Sequence, residues 1–250
     1  MRLNYIDNID CLEGLAAVPD KSVDMILCDL PYGTTRCKWD TVLPFADLWD
    51  QYNRIIKDDG AVVLFGTEPF ASRLRLSNLK NYRYDWVWDK VKGVGFLNAK
   101  RQPMRNHEMI LVFYKRPGTY NPQKTVGHEL RRSYRSRELQ TEVYGEMKKD
   151  YTYKSSERYP RSIQAFPTDT QNSSLHPTQK PVALCEYLVK TYTNPGEVVL
   201  DNCMGSGTTA VACLRTGRNY IGFELDEGYH AIAQQRITEE VDRLLMEAEP

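Results

Sequence analysis

The sequence predicts an α/β protein built on a doubly wound, mostly parallel sheet. Apolar strand patterns alternate with helical patterns at both ends of the chain, as in sheets whose parallel strands are joined by helices. An apolar strand at 198–200 leads into a glycine turn that opens a helix, which is typical of a ligand-binding crossover. The 250 residues, 41% of them hydrophobic, are enough to form the core of one such domain.

The first part of the chain follows this alternation. Three apolar runs of strand length are predicted as strands: residues 3–6, 23–28 and 61–65. Three segments with helical spacing of apolar residues are predicted as helices: residues 11–18, 45–56 and 69–79. Two further strands are predicted at 82–88 and 109–114, separated by a glycine-rich, basic segment at 92–105.

The middle of the chain breaks the pattern. Between residues 115 and 174 the apolar periodicity fades and Tyr, Arg, Ser and Lys dominate, so we predict an inserted segment with little core of its own. Regular patterns then return, with helices at 180–192, 206–215 and 227–246 and strands at 198–200 and 220–224. The chain is therefore divided into three predicted parts: 1–114, 115–174 and 175–250.

The net charge of the chain is zero, but the charges are unevenly distributed. Residues 71–105 contain nine basic and two acidic side chains, and residues 115–161 contain twelve basic and six acidic ones. The chain from residue 219 onward is acidic. A basic region and an acidic region in one neutral chain fit a protein that presents a single face to a polyanion.

Cysteine and histidine patterns argue against disulfide and metal chemistry. The six cysteines are far apart and form no C-x-x-C pair, which favours free thiols in a reducing compartment. None of the four histidines has the carboxylate spacing of a metal site. No stretch approaches the ~20 apolar residues of a membrane helix, and the N-terminus lacks the apolar segment of a signal peptide. We therefore expect a cytoplasmic protein with no membrane partner.

The clearest ligand-binding pattern is VVLDNCMGSGTTA at 198–210. Gly205 and Gly207 lie between an apolar strand and a helix, where glycine lets the backbone approach a ligand closely. The next strand ends in Glu224, nineteen positions after Gly205, where an acid can bind both hydroxyls of a ribose. The pattern predicts a site for a nucleoside-containing cofactor, either a dinucleotide or S-adenosylmethionine. This interpretation is favoured over a purely structural one, in which the turn only packs a helix on a strand. A valine at Gly207 is expected to block this ligand without unfolding the sheet.

A second pattern, VDMILCDLPYG at 23–33, places an acid, a proline and an aromatic residue at the carboxyl end of a buried strand. Ligands of open α/β sheets bind at that edge. Asp29 and the carbonyl of Leu30 can accept both hydrogens of an amino group, while Tyr32 stacks on a flat ring. Two acceptors would localise a nitrogen lone pair that is otherwise delocalised into the ring. A plain β-turn around Pro31 gives similar letters, and this motif alone favours that simpler interpretation.

Together the two patterns resemble the DNA amino-methyltransferases, a family with an Asp-Pro-Pro-Tyr catalytic loop and a glycine-rich cofactor loop. The order found here, catalytic loop first, is similar to the beta class, and the resemblance covers most of the chain outside about 115–174. Other segments also resemble family motifs: DCLE at 10–13, FGT at 65–67, NHE at 106–108 and HPTQKP at 176–181. The resemblance implies the seven-stranded type of methyltransferase sheet in circularly permuted order, with S-adenosylmethionine as methyl donor.

The resemblance also implies a division of roles among the three parts of the chain. Residues 1–114 would be the catalytic half, 115–174 the target-recognition segment and 175–250 the cofactor-binding half. The implied catalytic residues are Asp29, Leu30, Pro31 and Tyr32. The residues expected at the cofactor are Asp10, Asp29, Phe65, Lys180, Asp201, Gly205, Ser206, Gly207, Thr208, Glu224 and Leu225. The basic regions supply the residues expected at DNA: Lys100, Arg101, Arg131, Arg132, Arg135 and Arg137.

The sequence departs from the family pattern in two places, one in each loop. Leu30 stands where proline is usual, but this position contributes only its carbonyl, so we expect the chemistry to persist. Asn202-Cys203-Met204 stands where Pro-Phe is common, which concerns cofactor affinity more than activity. Asp29, in place of Ser or Thr, favours N6 of adenine as the methylated amine, with N4 of cytosine as the alternative. The implied reaction is direct in-line transfer to a base flipped out of the duplex.

Other functions fit these residues less well. A dinucleotide-linked dehydrogenase would leave the cluster at 29–32 and the basic insertion unexplained. A catalytically silent DNA-binding module would not need both loops intact. Relatives that methylate a protein glutamine or an RNA amine usually begin the catalytic loop with Asn and place the cofactor motif first. The expected partner is double-stranded DNA, and the sequence leaves open the recognition site, a homodimer and a cognate restriction enzyme.

Overall fold

The computed structural model describes residues 1–34, 40–135, 139–143, 145–147, 151–169 and 179–248. The chain forms two compact units, one of Met1–Asn121 with Ser162–Pro250 and one of Pro122–Arg161. The described strands are β1 (Tyr5–Asp7), β2 (Val23–Cys28), β3 (Ile56–Gly66), β4 (Tyr82–Val94), β5 (Arg105–Phe113), β6 (Arg131–Arg135), β7 (Leu139–Thr141), β8 (Gly145–Met147), β9 (Tyr151–Ser155), β10 (Ile163–Ala165), β11 (Val198–Asp201) and β12 (Asn219–Phe223). The described α-helices are α1 (Cys11–Ala17), α2 (Phe45–Ile55), α3 (Phe70–Ser77), α4 (Val182–Tyr192), α5 (Thr208–Thr216) and α6 (Glu227–Ala248).

The first unit contains an eight-stranded sheet in the order β1-β12-β11-β2-β3-β5-β4-β10. Neighbouring strands are parallel except around β5, which is antiparallel to both β3 and β4. The predicted doubly wound, mostly parallel fold is thereby confirmed. The chain leaves β2 toward β3 in one direction, whereas β11 leads to β12 in the other. The carboxyl ends of β2 and β11 therefore mark the switch point, where open α/β sheets bind their ligands.

Both faces of the sheet are covered by helices. Met25 and Leu27 of β2 belong to the core cluster formed with α4, α5 and α6. Ile26 and Cys28 of the same strand belong to the opposite cluster, formed with α1, α2 and α3. Successive strand residues point to opposite faces, so a strand buried on both sides must be apolar throughout. This explains why residues 25–28 of β2 form a continuous apolar run rather than an alternating one, while the partly buried Asp24 lies near the start of the strand.

Strand β3 begins earlier than its apolar pattern predicts. It starts at Ile56, directly after α2, and includes the polar residues 57–59, which lie between the predicted helix at 45–56 and the predicted strand at 61–65. Lys57 forms an ion pair with Asp24 of the neighbouring strand, with 2.6 Å between Nζ and Oδ1. Gly60 is needed because a Cβ there would lie 2.7 Å from the carbonyl oxygen of Asp24. These contacts with β2 hold residues 57–60 in a strand, although their polar sequence alone suggests a loop.

The second unit contains two antiparallel strand pairs, β6 with β9 and β7 with β8. An isolated bridge joins Thr125 to Arg158, and Lys124 forms an ion pair with Glu157 at 2.8 Å. The predicted insertion at 115–174 is longer than this unit at both ends. It is longer because β10 returns to the main sheet beside β4, and residues up to Asn121 belong to the first unit.

None of the described helices has an apolar stretch long enough to cross a membrane. Within the described residues, no group of three His, Cys, Asp or Glu side chains is placed to hold a metal ion. The five described cysteines, Cys11, Cys28, Cys185, Cys203 and Cys213, are free thiols.

Candidate active site

A cavity of about 440 Å³ opens at the switch point between β2 and β11. It is lined by all four predicted catalytic residues, which follow the last residue of β2. Ten of the predicted cofactor residues also line it: Asp10, Asp29, Phe65, Lys180, Asp201, Gly205, Ser206, Thr208, Glu224 and Leu225. The volume lies within the roughly 300–1,000 Å³ of small-molecule sites. The structure thus brings the two sequence patterns to one cavity, although they are about 170 residues apart in the chain.

The predicted catalytic loop, residues 29–34, is held in part by its own side chains. The Tyr32 hydroxyl donates a hydrogen bond to Oδ1 of Asp29 at 2.6 Å. The Tyr32 ring packs on Phe70, with 4.8 Å between the ring centroids and 31° between the planes. The Leu30 side chain is buried in the core cluster of α1, α2 and α3, which anchors the loop at the position where the family usually has proline.

The end of the loop is held by Asp40, which the sequence patterns did not identify. The backbone N–H groups of Gly33 and Thr34 donate to the two Asp40 oxygens at 2.8 and 2.9 Å. Gly33 has φ +69°, and a Cβ there would lie 2.8 Å from a methyl group of Val42. A buried acid seven residues after the loop carries no local sequence signal, because its partners are backbone groups.

Asp29 is joined to a buried chain of alternating charges. Lys180 donates to Oδ2 of Asp29 at 2.5 Å, and its Nζ lies 3.3 Å from Oε2 of Glu108. Lys90 in turn pairs with Oε1 of Glu108. The Lys180 side chain is only 8% exposed and lies over the rings of Phe65 and Tyr32. Glu108 stood in the NHE motif without an assigned role, and its only sequence signal was an acid entering an apolar strand.

The protonation states of these buried charged side chains depend on one another. Burial raises the pKa of Asp29 above its ordinary value, and the ammonium group of Lys180 offsets part of that rise. Burial acts to lower the pKa of Lys180, but the charges of Asp29 and Glu108 outweigh it and raise that pKa. Burial acts to raise the pKa of Glu108, but Lys180 and Lys90 hold it below its ordinary value. Lys180 is therefore the charge that favours an ionised Asp29.

The glycine loop is tied to the end of β12. Glu224 accepts hydrogen bonds from the backbone N–H groups of Gly205 and Asp226 at 2.7 and 2.9 Å. Burial raises the pKa of Glu224. The aspartate before the loop, Asp201, accepts from the Thr209 hydroxyl at 2.6 Å, and burial raises its pKa to about 6. The two acids hold the loop in place, and both residues line the cavity.

Gly207 is the one predicted cofactor residue that does not line the cavity. It is the N-cap of α5 with φ +83°, a conformation that strains any other residue. A Cβ at Gly207 would lie 3.1 Å from the Cβ of Ala233 in α6. The valine predicted to block the ligand without unfolding the sheet would therefore also disturb the packing of α6.

The cavity residues fit a nucleoside cofactor that carries an amino-acid tail. Glu224 and Asp10 offer carboxylate acceptors for hydroxyl groups, and Asp10 also caps α1 by accepting from the N–H of Leu12 at 2.8 Å. Leu225, which is 63% exposed, offers apolar surface for a flat ring, and the 1% exposed Phe65 also lines the cavity. The backbone N–H groups of a glycine turn before a helix suit an anionic group.

The residues expected at DNA fall in both units. Lys100 and Arg101 are exposed residues of the first unit, between β4 and β5. Arg131 and Arg132 are exposed on β6 of the second unit. Arg135 ends β6, but its side chain is not among those described, and Arg137 lies outside the described residues, as do residues 176–178 of the HPTQKP motif.

The fold and the cavity are those of an α/β protein with a ligand-sized site at its switch point. The chain matches the family model of N6/N4 DNA methylases over residues 23–235, so it belongs to that family. The type II methyltransferase M1.MboII of Moraxella bovis is 28% identical over 252 residues, which cover 92% of this chain and 94% of that protein.

Solved structures share the fold. The M1.HpyAVI–SAM complex has a TM-score of 0.64 and 24% identity, covering 93% of this chain and 98% of that one. PvuII DNA methyltransferase, described as cytosine-N4-specific, has a TM-score of 0.67 and 16% identity, covering 96% and 92%. A putative DNA modification methylase from Thermus thermophilus, complexed with S-adenosyl-L-methionine, has a TM-score of 0.60 and 22% identity, covering 94% and 95%.

Proposed function

We propose that this chain transfers a methyl group from S-adenosylmethionine to the N6 amine of adenine at a specific sequence of double-stranded DNA. The observation that carries this proposal is that Asp29 and Tyr32 line the same cavity as the Gly205 loop and Glu224. An acceptor for an amine and a cradle for a nucleoside cofactor thus meet at one switch point. Membership of the N6/N4 DNA methylase family supports the reaction class.

The catalytic loop can activate the amine without a general base. When bound, the cofactor supplies an already activated methyl group. Asp29 and the carbonyl of Leu30 would accept the two amine hydrogens, so that the nitrogen lone pair is localised toward the methyl donor. Both Asp29 oxygens already accept a bond, from Tyr32 and Lys180, but each carboxylate oxygen has a second lone pair for the substrate. The target base must leave the duplex to reach this loop, at a cost of a few kcal/mol.

The cofactor residues follow from the cavity lining. S-adenosylmethionine is the methyl donor, and complexes of two structural neighbours contain it. Glu224 would bind the ribose hydroxyls, and Phe65 and Leu225 would pack against the adenine or the methionine part. The glycine loop would let the backbone approach closely.

We expect Glu224→Ala to weaken S-adenosylmethionine binding by at least tenfold, because a hydrogen bond to a charged group is worth about 1.5–3 kcal/mol. Calorimetric titration of the cofactor measures this. Glu227→Ala, which removes an exposed acid three residues later, is the matched control and should bind like the wild type. Glu224 also holds the N–H of Gly205, so thermal unfolding must confirm that the variant is folded. Undiminished affinity in folded Glu224→Ala protein would contradict the assignment.

Adenine is favoured over cytosine by the loop sequence, because Asp29 stands where cytosine-specific relatives more often carry a hydroxyl. The cytosine-N4-specific PvuII neighbour supports the alternative base. Modification-sensitive sequencing of a host chromosome that expresses the protein tests base and target together, with an Asp29→Ala host as control. N6-methyladenine at one recurring sequence is the expected result. N4-methylcytosine would overturn the choice of base, and no new modification would overturn the function.

The second unit is proposed to contact the duplex and to choose the target sequence. Replacing Arg131 and Arg132, two exposed arginines of β6, by alanine is expected to weaken DNA binding. A lost phosphate contact would weaken all sequences alike and reduce the salt slope by about one, whereas a lost base contact would relax specificity at one position. Arg2→Ala, another exposed arginine, is the control. Unchanged affinity, salt slope and target choice would move this role to the basic residues of the first unit.

The biological setting proposed for this chain is a restriction-modification system. The Moraxella bovis relative is by name a type II methyltransferase. That name supports a restriction-modification setting for this chain as well. Expression without a restriction partner should then be tolerated by the host, because methylation alone protects rather than cleaves DNA.

A further inference from the structure

The hairpin that joins β4 to β5 ends in an apolar tip. Phe96 is 78% exposed and Leu97 is 98% exposed. Val91, Val94 and Met104, on the arms of the same hairpin, are also exposed. Five large apolar side chains are thus open to water within fourteen residues. A concentration of this kind marks a surface that meets a partner.

The backbone of the tip is ordered by its own hydrogen bonds. A 3₁₀ turn covers Phe96–Asn98, and the N–H of Asn98 donates to the carbonyl of Gly95 at 2.9 Å. Ala99 and Arg101 continue this pattern, donating to the carbonyls of Phe96 and Asn98 at 3.0 and 2.8 Å. Gly95 has φ +88°, so the sequence places glycine where the chain must turn. The turn therefore presents Phe96 and Leu97 outward on a defined backbone.

The charges around the tip identify the class of partner. Residues 91–107 contain four basic side chains and no acidic one: Lys92, Lys100, Arg101 and Arg105. Exposed aromatic and aliphatic side chains flanked only by cations fit a polyanion with apolar faces between its charges. A DNA duplex has this chemistry, with phosphates outside and stacked bases inside.

The hairpin rises from the part of the sheet that lines the active site. Lys90 of β4 pairs with Glu108 of β5, and Glu108 reaches Asp29 through Lys180. Arg105, three residues before Glu108 in β5, pairs with Val94 of β4. At about 3.3 Å per residue this pair lies roughly 10 Å from Glu108, toward the tip of the hairpin. The tip continues past that pair. It therefore projects from the same edge as the catalytic loop.

We propose that Phe96 and Leu97 form a wedge that enters the DNA base stack beside the target base and holds that base out of the duplex. The proposal rests on the proposed function. Apolar side chains inserted between base steps replace part of the lost stacking, while flanking cations bind the phosphates on either side. The wedge would act only on a base that must be taken out of a stacked pair.

The test compares two duplexes that contain the recognition sequence identified by sequencing. In one the target base is normally paired, and in the other it faces an abasic site and is already unpaired. The variant is Phe96→Ser/Leu97→Ser, and the matched control is Leu76→Ser/Leu79→Ser, which removes two other exposed leucines of the same unit. Single-turnover methyl transfer on the paired duplex should fall at least tenfold in the wedge variant, since extrusion carries an unstacking cost. On the unpaired duplex the fall should be less than about threefold, because that cost is smallest for an unpaired base.

Each other result overturns the wedge. An equal fall on both duplexes would mean that the tip only binds DNA, and no fall on either would mean that it does not act. Loss of binding to phosphatidylglycerol vesicles with unchanged transfer to the paired duplex would assign the tip to a membrane surface instead. If the wild-type protein methylates neither duplex, the proposed function itself fails and the wedge fails with it.

Discussion

Asp29→Ala is expected to lose methyl transfer by about 10²–10³-fold in single-turnover rate, the usual cost of removing one preorganised group that stabilises a transition state. The hydrogen bond from the amine to Asp29 strengthens as the nitrogen becomes positive, so the loss falls on the chemical step. Cofactor affinity should change little. Lys180 keeps Glu108 as a partner 3.3 Å away, so the substitution does not leave a buried ammonium group alone.

Rapid-quench transfer to duplex DNA, with cofactor affinity measured alongside, tests this prediction. Asp29→Asn is the informative control because it keeps an acceptor oxygen and removes the charge. It should fall between the wild type and Asp29→Ala. A folded Asp29→Ala protein that methylates at nearly the wild-type rate would end the proposed mechanism.

Tyr32 variants in the same assay separate base capture from chemistry. Tyr32→Ala removes a stacking surface worth about 1–3 kcal/mol and should weaken DNA capture and turnover together. Tyr32→Phe keeps the ring on Phe70 but loses the 2.6 Å bond to Asp29. It should therefore be milder than Tyr32→Ala, with its remaining effect on rate rather than on capture.

Both loops that line the cavity could be predicted from the sequence because their signals are local, although the pattern at 23–33 on its own favoured a plain β-turn. Residues 23–33 contain a complete buried strand and the polar residues at its end, so strand, edge and chemistry are read together. The Gly205 loop likewise contains its strand, turn and helix in one run. Their meeting in one cavity follows from the parallel sheet, because carboxyl ends of parallel strands lie at the same edge.

The contacts that support the site could not be predicted in this way, because they join residues that are distant in the chain. Lys180 reaches Asp29 across 151 positions, and Glu108 is recruited only because β5 runs antiparallel beside β3. Asp40 serves backbone groups, which any residue type could offer. The return of β10 to β4 is a pairing of only three residues, too short to be recognised as a strand in the sequence, so these residues were included in the predicted insertion.

The buried chain of charges leads to a prediction about pH. Lys180→Met removes the only cation that contacts Asp29 among the described residues, while Glu108 continues to repel it. The pKa of Asp29, already raised by burial, must then rise further, and the proposed reaction is fastest with Asp29 ionised. Activity should therefore fall below the new pKa and recover above it. An opposite charge within this distance shifts a carboxyl pKa by about 1–3 units, so the acid limb of the rate profile should move upward by about that much.

A second substitution distinguishes this electrostatic role from a loss of structure or of cofactor binding. In Lys180→Met/Glu108→Gln the repelling carboxylate is removed along with the cation, so the acid limb should return part of the way toward that of the wild type. Breaking a buried ion pair costs about 3–5 kcal/mol, so thermal unfolding and cofactor affinity must be measured for both variants. Lys190→Met, which removes a more exposed lysine paired with Glu186 on α4, is the matched control and should leave the profile unchanged. If the acid limb of Lys180→Met stays where the wild type has it, Lys180 does not set the charge of Asp29. If the double variant shows no return, the coupling does not pass through Glu108.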